Sequence, residues 1–204
     1  MIVHPPSLQY GDTIGITCPG GYMEYEKAES CINTLQSWGY GVMVGKTLQS
    51  NSANYFSESD QHRMEELQAM LDDKNIKAIL FARGGYGTGR IIDDLSFKKF
   101  NKNPKWLIGF SDITVMHTHL LGNYNTASIH GPMAAAFNDG GNESPSILSL
   151  QAALKGETAG YSCPAHSFNN IGEGQGILVG GNLALLAHVI EPLQILIQKT
   201  GYYL

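Results

Sequence analysis

Two glycine-bearing turns in this 204-residue chain hold the residue types most able to do chemistry. One is Gly109-Phe110-Ser111-Asp112-Ile113-Thr114, between an apolar run and an amphipathic segment. A serine at such a strand-to-helix bend projects its hydroxyl clear of a sheet, and the N–H groups that follow point into the same space, as a nucleophile in acyl transfer requires. Ile113 stands where the Gly-x-Ser-x-Gly elbow has its second glycine, so a second reading stays open, in which Ser111 or Asp112 caps the helix. The other turn is Arg83-Gly84-Gly85-Tyr86-Gly87-Thr88-Gly89-Arg90, after the apolar run Ile76 to Phe81. Arg90 and Ile91 occupy the places where a P-loop needs Lys and then Ser or Thr, and no register has glycines at i, i+2 and i+5, which argues against a nucleotide loop. Two uses remain. Without side chains, the backbone N–H groups can approach an anion or a developing oxyanion. Alternatively, the glycines supply positive φ in a tight turn.

Serine is a weak nucleophile at neutral pH and needs a base in hydrogen-bond reach, itself oriented by a carboxylate. His117 and His119 lie six and eight residues beyond Ser111, about 9 to 12 Å along a helix axis, and make poor bases. His130, in His130-Gly131-Pro132, ends a neighbouring strand and faces either the cleft or a structural partner. His166 falls in an irregular region. His188 lies on an apolar helix, where a satisfied core histidine is the default.

The elements that must position these turns alternate along the chain. Strands are expected at Thr13–Thr17, 40–44, Ile76–Phe81, Trp106–Gly109 and 126–129, with helices over 24–38, from a Ser57 cap through Leu71, and over 113–121. Uninterrupted apolar strands alternating with helices predict an α/β fold with an open, mainly parallel sheet flanked by helices. Beyond about residue 140 glycines punctuate polar stretches. Residues 1–140 are therefore expected to form the serine-bearing α/β domain, and 141–204 a linker and the truncated start of a carboxy-terminal domain.

Composition narrows the class. Thirteen basic against eighteen acidic side chains give a net charge of -5, with no basic stripe, so no nucleic-acid partner is expected. The three cysteines lack metal-ligand spacing and read as buried reduced thiols, with no metal and no cofactor implied. The first residues lack the order of a secretory signal, and no apolar run reaches the roughly 20 residues of a membrane span, so a cytoplasmic protein without a membrane partner is expected.

Several segments together resemble the LD-carboxypeptidase family, which includes the microcin-immunity peptidases: Gly11-Asp12 with Cys18-Pro19, Ala82 to Gly87, Pro104 to Thr114, His130-Gly131-Pro132-Met133 and Gly180-Gly181-Asn182-Leu183. The resemblance implies an amino-terminal α/β domain carrying the nucleophile and a carboxy-terminal domain supplying a glutamate and a histidine. It places the nucleophile on Ser111 and the oxyanion donors on the N–H groups of Asp112 and Gly85, within the Gly84-Gly85 pair. Arg83 becomes a candidate for holding a substrate carboxylate. The implied reaction is hydrolysis of the bond to a terminal D-alanine in cytosolic peptidoglycan peptides, so a muropeptide is the expected partner; the alternatives are cleavage of peptidyl-nucleotides, as in the immunity branch, and a non-catalytic fragment that binds peptide. A homodimer is the expected form of self-association, because a surface meant for a second domain would face water. Glu191 to Thr200 departs from the family's linker, whereas Gly201-Tyr202-Tyr203-Leu204 resembles the start of the glutamate strand. A frame slip or truncation is the expected explanation of both, and the triad glutamate and histidine are expected to be missing from these 204 residues.

Overall fold

The computed structural model describes residues 1–50, 52, 54–140, 143–170 and 172–188. Strands β1 (Thr13–Thr17), β2 (Gly41–Val44), β3 (Ile76–Phe81), β4 (Trp106–Gly109) and β5 (Ile129–His130) form one parallel sheet in the order β2-β1-β3-β4-β5. The central strands are apolar on both faces because both are covered. Ala78 and Leu80 of β3 point into one core cluster, whereas Ile79 and Phe81 point into the other.

Helix α1 (Glu29–Ser37) covers the first face through Cys31, Ile32 and Leu35. The 24–38 segment expected to be helical opens instead as a 3-10 turn, Tyr25–Ala28. Helices α2 (Asp60–Asp72) and α3 (Thr114–Tyr124) cover the second face through Leu67, Met70, Leu71, Val115, Met116 and Leu120. Ser59, not Ser57, caps α2: its hydroxyl accepts from the His62 N–H at 3.2 Å. The Ser57 hydroxyl is buried and donates to the Cys18 carbonyl at 2.7 Å, so burial took a residue whose type suits a cap.

The polar, glycine-rich stretch beyond residue 140 contains two more helices. α4 (Pro145–Leu154), with proline in its first turn, buries Ile147, Leu150 and Leu154 in the first core. α5 (Leu183–His188) buries Leu186 and packs Leu185 on the second. His188 is exposed, contrary to the core expectation, and Cys163 is exposed while Cys18 and Cys31 are buried. The expected departure at 191–200 and the strand start at 201–204 lie outside the described residues. Among those described, no helix is long and apolar enough to cross a membrane.

Two buried polar side chains hold the carboxyl ends of the strands together. Arg63 of α2 has no exposed surface; its guanidinium donates to the carbonyls of Pro19 and Gly87 (3.2 Å for Gly87) and pairs with Asp60. His117 of α3 places Nε2 2.9 Å from the Gly109 carbonyl and Nδ1 2.8 Å from the Ser128 hydroxyl. A carbonyl can only accept, so Nε2 carries the proton, and in the neutral ring Nδ1 is left to accept from Ser128. Burial pushes its pKa down to about 4.

Arg63→Leu leaves the Pro19 carbonyl without a donor and the Gly87 carbonyl with only the Arg90 N–H, and urea unfolding should register a loss of about 1 to 3 kcal/mol; an unchanged stability would contradict the clamp. For His117 the folded pKa lies below the unfolded value of 6.5, so its contribution is complete above pH 6.5 and disappears as pH falls toward 4. The stability gap between the parent and His117→Gln should narrow by about 3 kcal/mol between pH 7.5 and pH 4. A gap independent of pH would refute a buried neutral ring.

Candidate active site

The chain steps from β1 outward to β2, then returns to the other side of β1 as β3. Ligands in open α/β sheets bind at the carboxyl ends of strands at such a reversal. Here that place is occupied by Cys18-Pro19-Gly20-Gly21 after β1, the Arg83–Arg90 turn after β3 and the Phe110–Thr114 turn after β4. These segments are stitched together by the backbone. The Gly21 N–H donates to the Gly84 carbonyl at 3.0 Å, and the Tyr86 N–H donates to the Tyr55 hydroxyl at 2.7 Å.

Ser111 is half-buried and adopts φ 59, one of two left-handed non-glycine residues among those described. An L-residue held there is disfavoured by about 1 to 2 kcal/mol, so its surroundings must fix it. It does not cap a helix: neither the Ser111–Ile113 3-10 turn nor α3 has a side-chain cap at its start. Before the bend, the Gly109 carbonyl accepts from His117 and from the Gly131 N–H at 3.1 Å. After the bend, the Asp112 side chain turns inward, 1% exposed, and its Oδ2 accepts from the Thr88 N–H at 2.8 Å. Burial raises the Asp112 pKa, and its hydrogen bonds to Thr88 and Gly87 oppose that rise.

The two expected turns therefore meet. A Cβ on Gly84 would lie 3.1 Å from Ser111 Cβ, 3.3 Å from its Oγ and 3.4 Å from the Asp112 nitrogen. Only glycine leaves that approach open. Gly85 follows at φ 92. Among the described residues neither the Gly85 nor the Asp112 N–H has a protein acceptor, and the Ser111 hydroxyl makes no hydrogen bond. The arrangement offers a hydroxyl on a constrained bend beside uncommitted backbone donors, with Tyr86 and Phe110 exposed at its rim.

Arg83 is exposed and directs Nη1 to the Tyr22 carbonyl, which ties the turn to the β1 loop. His117 has both nitrogens engaged, and His119 is ringed by Phe97 at 4.9 Å and Tyr124 at 5.7 Å. His130 is exposed, opposite Gly109 in the β4–β5 register, with its ring 6.4 Å from that of Phe110. His166 is also exposed and accepts from the Phe168 N–H at 3.2 Å. No group of three His, Cys, Asp or Glu side chains among the described residues is placed to hold a metal ion.

Sequence reasoning missed Arg63, Tyr55 and the pair Gly20-Gly21. Arg63 lies on a helix where a basic residue reads as solvated. The glycine pair directly after β1 was a usable signal, since a Cβ on Gly20 would meet the Gly84 carbonyl at 3.0 Å and Asp112 Oδ2 at 3.1 Å.

The profile of the LD-carboxypeptidase N-terminal domain matches residues 14–131. The chain is 33% identical over 189 residues to a protein named as a probable murein peptide carboxypeptidase of Bacillus subtilis, covering 91% of this chain and 59% of that one. It is 27% identical over 186 residues to the murein tetrapeptide carboxypeptidase of Pseudomonas aeruginosa, covering 85% of this chain and 59% of that one. The chain thus spans about three fifths of the length of these relatives. The crystal structure of a muramoyltetrapeptide carboxypeptidase from Oxalobacter formigenes superposes with a TM-score of 0.61 at 29% identity over 69% of this chain and 47% of that one. The microcin C7 self-immunity protein MccF superposes with a TM-score of 0.75 at 21% identity over 90% of this chain and 64% of that one, a likeness of fold. With a domain profile covering over half its length and the turns at 83–90 and 110–114 joined in space, this chain belongs to the LD-carboxypeptidase family.

Proposed function

We propose that the protein is a serine peptidase that hydrolyses the bond to a terminal D-alanine in peptidoglycan peptides, acting in the cytoplasm on recycled muropeptides. The observation that carries this reading is the contact of Gly84 with Ser111, which sets a half-buried hydroxyl beside two N–H groups without protein acceptors. Relatives at 27% and 33% identity are named as murein peptide carboxypeptidases, and that supports the substrate class.

In the proposed reaction, Ser111 Oγ attacks the carbonyl carbon of the scissile amide and its proton passes to a base. The carbonyl oxygen becomes an oxyanion facing the N–H groups of Asp112 and Gly85. Each such donor contributes about 3 to 4 kcal/mol to the transition state in the best-measured hydrolase. Collapse of the intermediate breaks the C–N bond, and the leaving amine of D-alanine takes the proton back. Water then repeats the sequence on the acyl-serine. Arg83 keeps the role of candidate carboxylate holder, with part of its guanidinium already on Tyr22.

The base is assigned to chain outside the described residues. His117 is neutral and committed, and the family resemblance puts the glutamate and histidine in a carboxy-terminal domain. Residues 1–204 assayed alone should be nearly inert, because losing a triad base lowers turnover by several orders of magnitude. Ordinary peptidase turnover by this chain would instead point to a local base such as His130.

Released D-alanine from a murein tetrapeptide is the decisive assay for the whole protein. Ser111→Ala should lower kcat by about 10⁴-fold or more with little change in KM; an unchanged rate would end the nucleophile assignment. Gly84→Ala should lower kcat by roughly 10²-fold, the scale of one lost oxyanion donor, by pushing a methyl against Ser111. A rate within twofold of the parent would show that the loop is not part of the site. If a peptidyl-nucleotide turns over faster than the tetrapeptide, the protein belongs with the immunity peptidases instead.

A further inference from the structure

The Gly180-Gly181-Asn182-Leu183 segment comes back to the turn that carries Ser111, after a stretch whose described residues, 157–170 and 172–178, are exposed and outside helices and strands. The Asn182 N–H donates to Thr114 Oγ1 at 2.9 Å, and Thr114 stands three residues after Ser111 with no exposed surface. A Cβ on Gly181 would lie 2.5 Å from Thr114 Cγ2 and 2.8 Å from its Oγ1. Those atoms have little room to swing aside, because threonine in a helix is confined to about two rotamers and leaving this one gives up the Asn182 bond. Beyond the contact the chain is held in place: Asn182 Oδ1 accepts from the Leu185 N–H at 3.2 Å, Leu186 is buried, and Leu185 packs on the second core.

Thr114 is not needed to start its helix by side-chain capping, and α3 begins without such a cap. Its hydroxyl is the acceptor that registers a segment 68 residues away, and the missing side chain of Gly181 lets that segment touch.

We propose that Thr114 is a positioning residue: by seating the Gly181-Asn182 turn on the first turn of α3, it fixes where the chain after residue 182 lies relative to Ser111. Its catalytic consequence rests on the reading of Ser111 as nucleophile. A base delivered by that later chain must reach Ser111 Oγ within hydrogen-bond distance, and a displacement of about 1 Å at such a site lowers turnover on the order of 10²-fold. Arg83, the candidate holder of the substrate carboxylate, takes no part in this contact. The effect therefore falls on kcat and leaves KM largely unchanged.

The test uses Thr114→Val, which keeps the shape and removes the acceptor, Thr114→Ser, which keeps the acceptor, and Gly181→Ala, which approaches the contact from the other side. Amide hydrogen exchange at Asn182 reads the seat directly, independently of turnover. In Thr114→Val and Gly181→Ala, exchange at Asn182 should quicken at least tenfold, with melting temperatures near that of the parent. In the whole protein kcat should fall tenfold or more while KM moves less than threefold, and Thr114→Ser should restore both readouts. Unchanged Asn182 exchange in both disrupting variants would overturn the seat. Quickened exchange with unchanged kcat would overturn the positioning role, as would a fall in the Thr114→Ser variant equal to that in Thr114→Val. A parental rate in Ser111→Ala would remove the nucleophile reading alone, leaving the exchange result to judge the seat.

Discussion

A carboxylate withdrawn from water must be met by donors, and at the centre of this structure Asp112 meets that requirement with the N–H of Thr88, 2.8 Å away. The bond joins the turn after β4 to the turn after β3. Because Asp112 points inward, Ser111 is left on the outside of the bend in a left-handed conformation that its own side chain disfavours. The glycines at 20 and 84 then follow from geometry, since a Cβ at either place would press on the Asp112 carboxylate or on Ser111. Arg63 completes the arrangement from below by holding the carbonyls of Pro19 and Gly87. A hydroxyl beside free backbone donors is thus the outcome of several buried polar contacts, each of which would be unfavourable without its partner.

Much of this organisation was legible in the chain. The expected limits of β1, β3 and β4 agree with the structure, because runs such as Ile76 to Phe81 are buried on both faces and allow no other reading. Both turns could be read as well, since glycine and serine at the carboxyl end of a strand have local signatures. What could not be read depended on partners distant in sequence. Ser57 and Ser59 are equally good caps by type, and only the position of the Cys18 carbonyl takes Ser57 away. Arg63 sits on a helix with the composition of a solvated face, yet it is fully buried by carbonyls 24 and 44 residues away. Helix α4 is masked by the glycines on either side of it, Gly140-Gly141 and Gly156, although Ile147 and Leu154 are fully buried. His188, the expected core histidine, is exposed because Leu186 takes the inward position of that short helix.

His117 and His130, which both adjoin Gly109, show how burial divides roles. His117 gives both nitrogens to the fold and stays neutral to about pH 4, so it braces the strand before Ser111 and has no capacity left to take a proton. His130 lies next to it at a ring distance of 5.8 Å but faces water at the end of β5. The absence of an adjacent histidine free to act as base, among the described residues, agrees with the proposal that later chain completes the site, and the contact between Thr114 and Asn182 joins residues after 180 to the turn that carries Ser111.

The central claim is that Ser111 Oγ is the attacking atom and that the N–H groups of Gly85 and Asp112 receive the oxyanion. The most direct measurement is a crystal structure of the whole protein with a tetrapeptide boronate or phosphonate ending in a D-alanine analogue. The account predicts a covalent bond to Ser111 Oγ and an inhibitor oxygen about 2.7 to 3.1 Å from both nitrogens. An adduct on another side chain, or an oxygen turned away from the 84–85 loop, would contradict it.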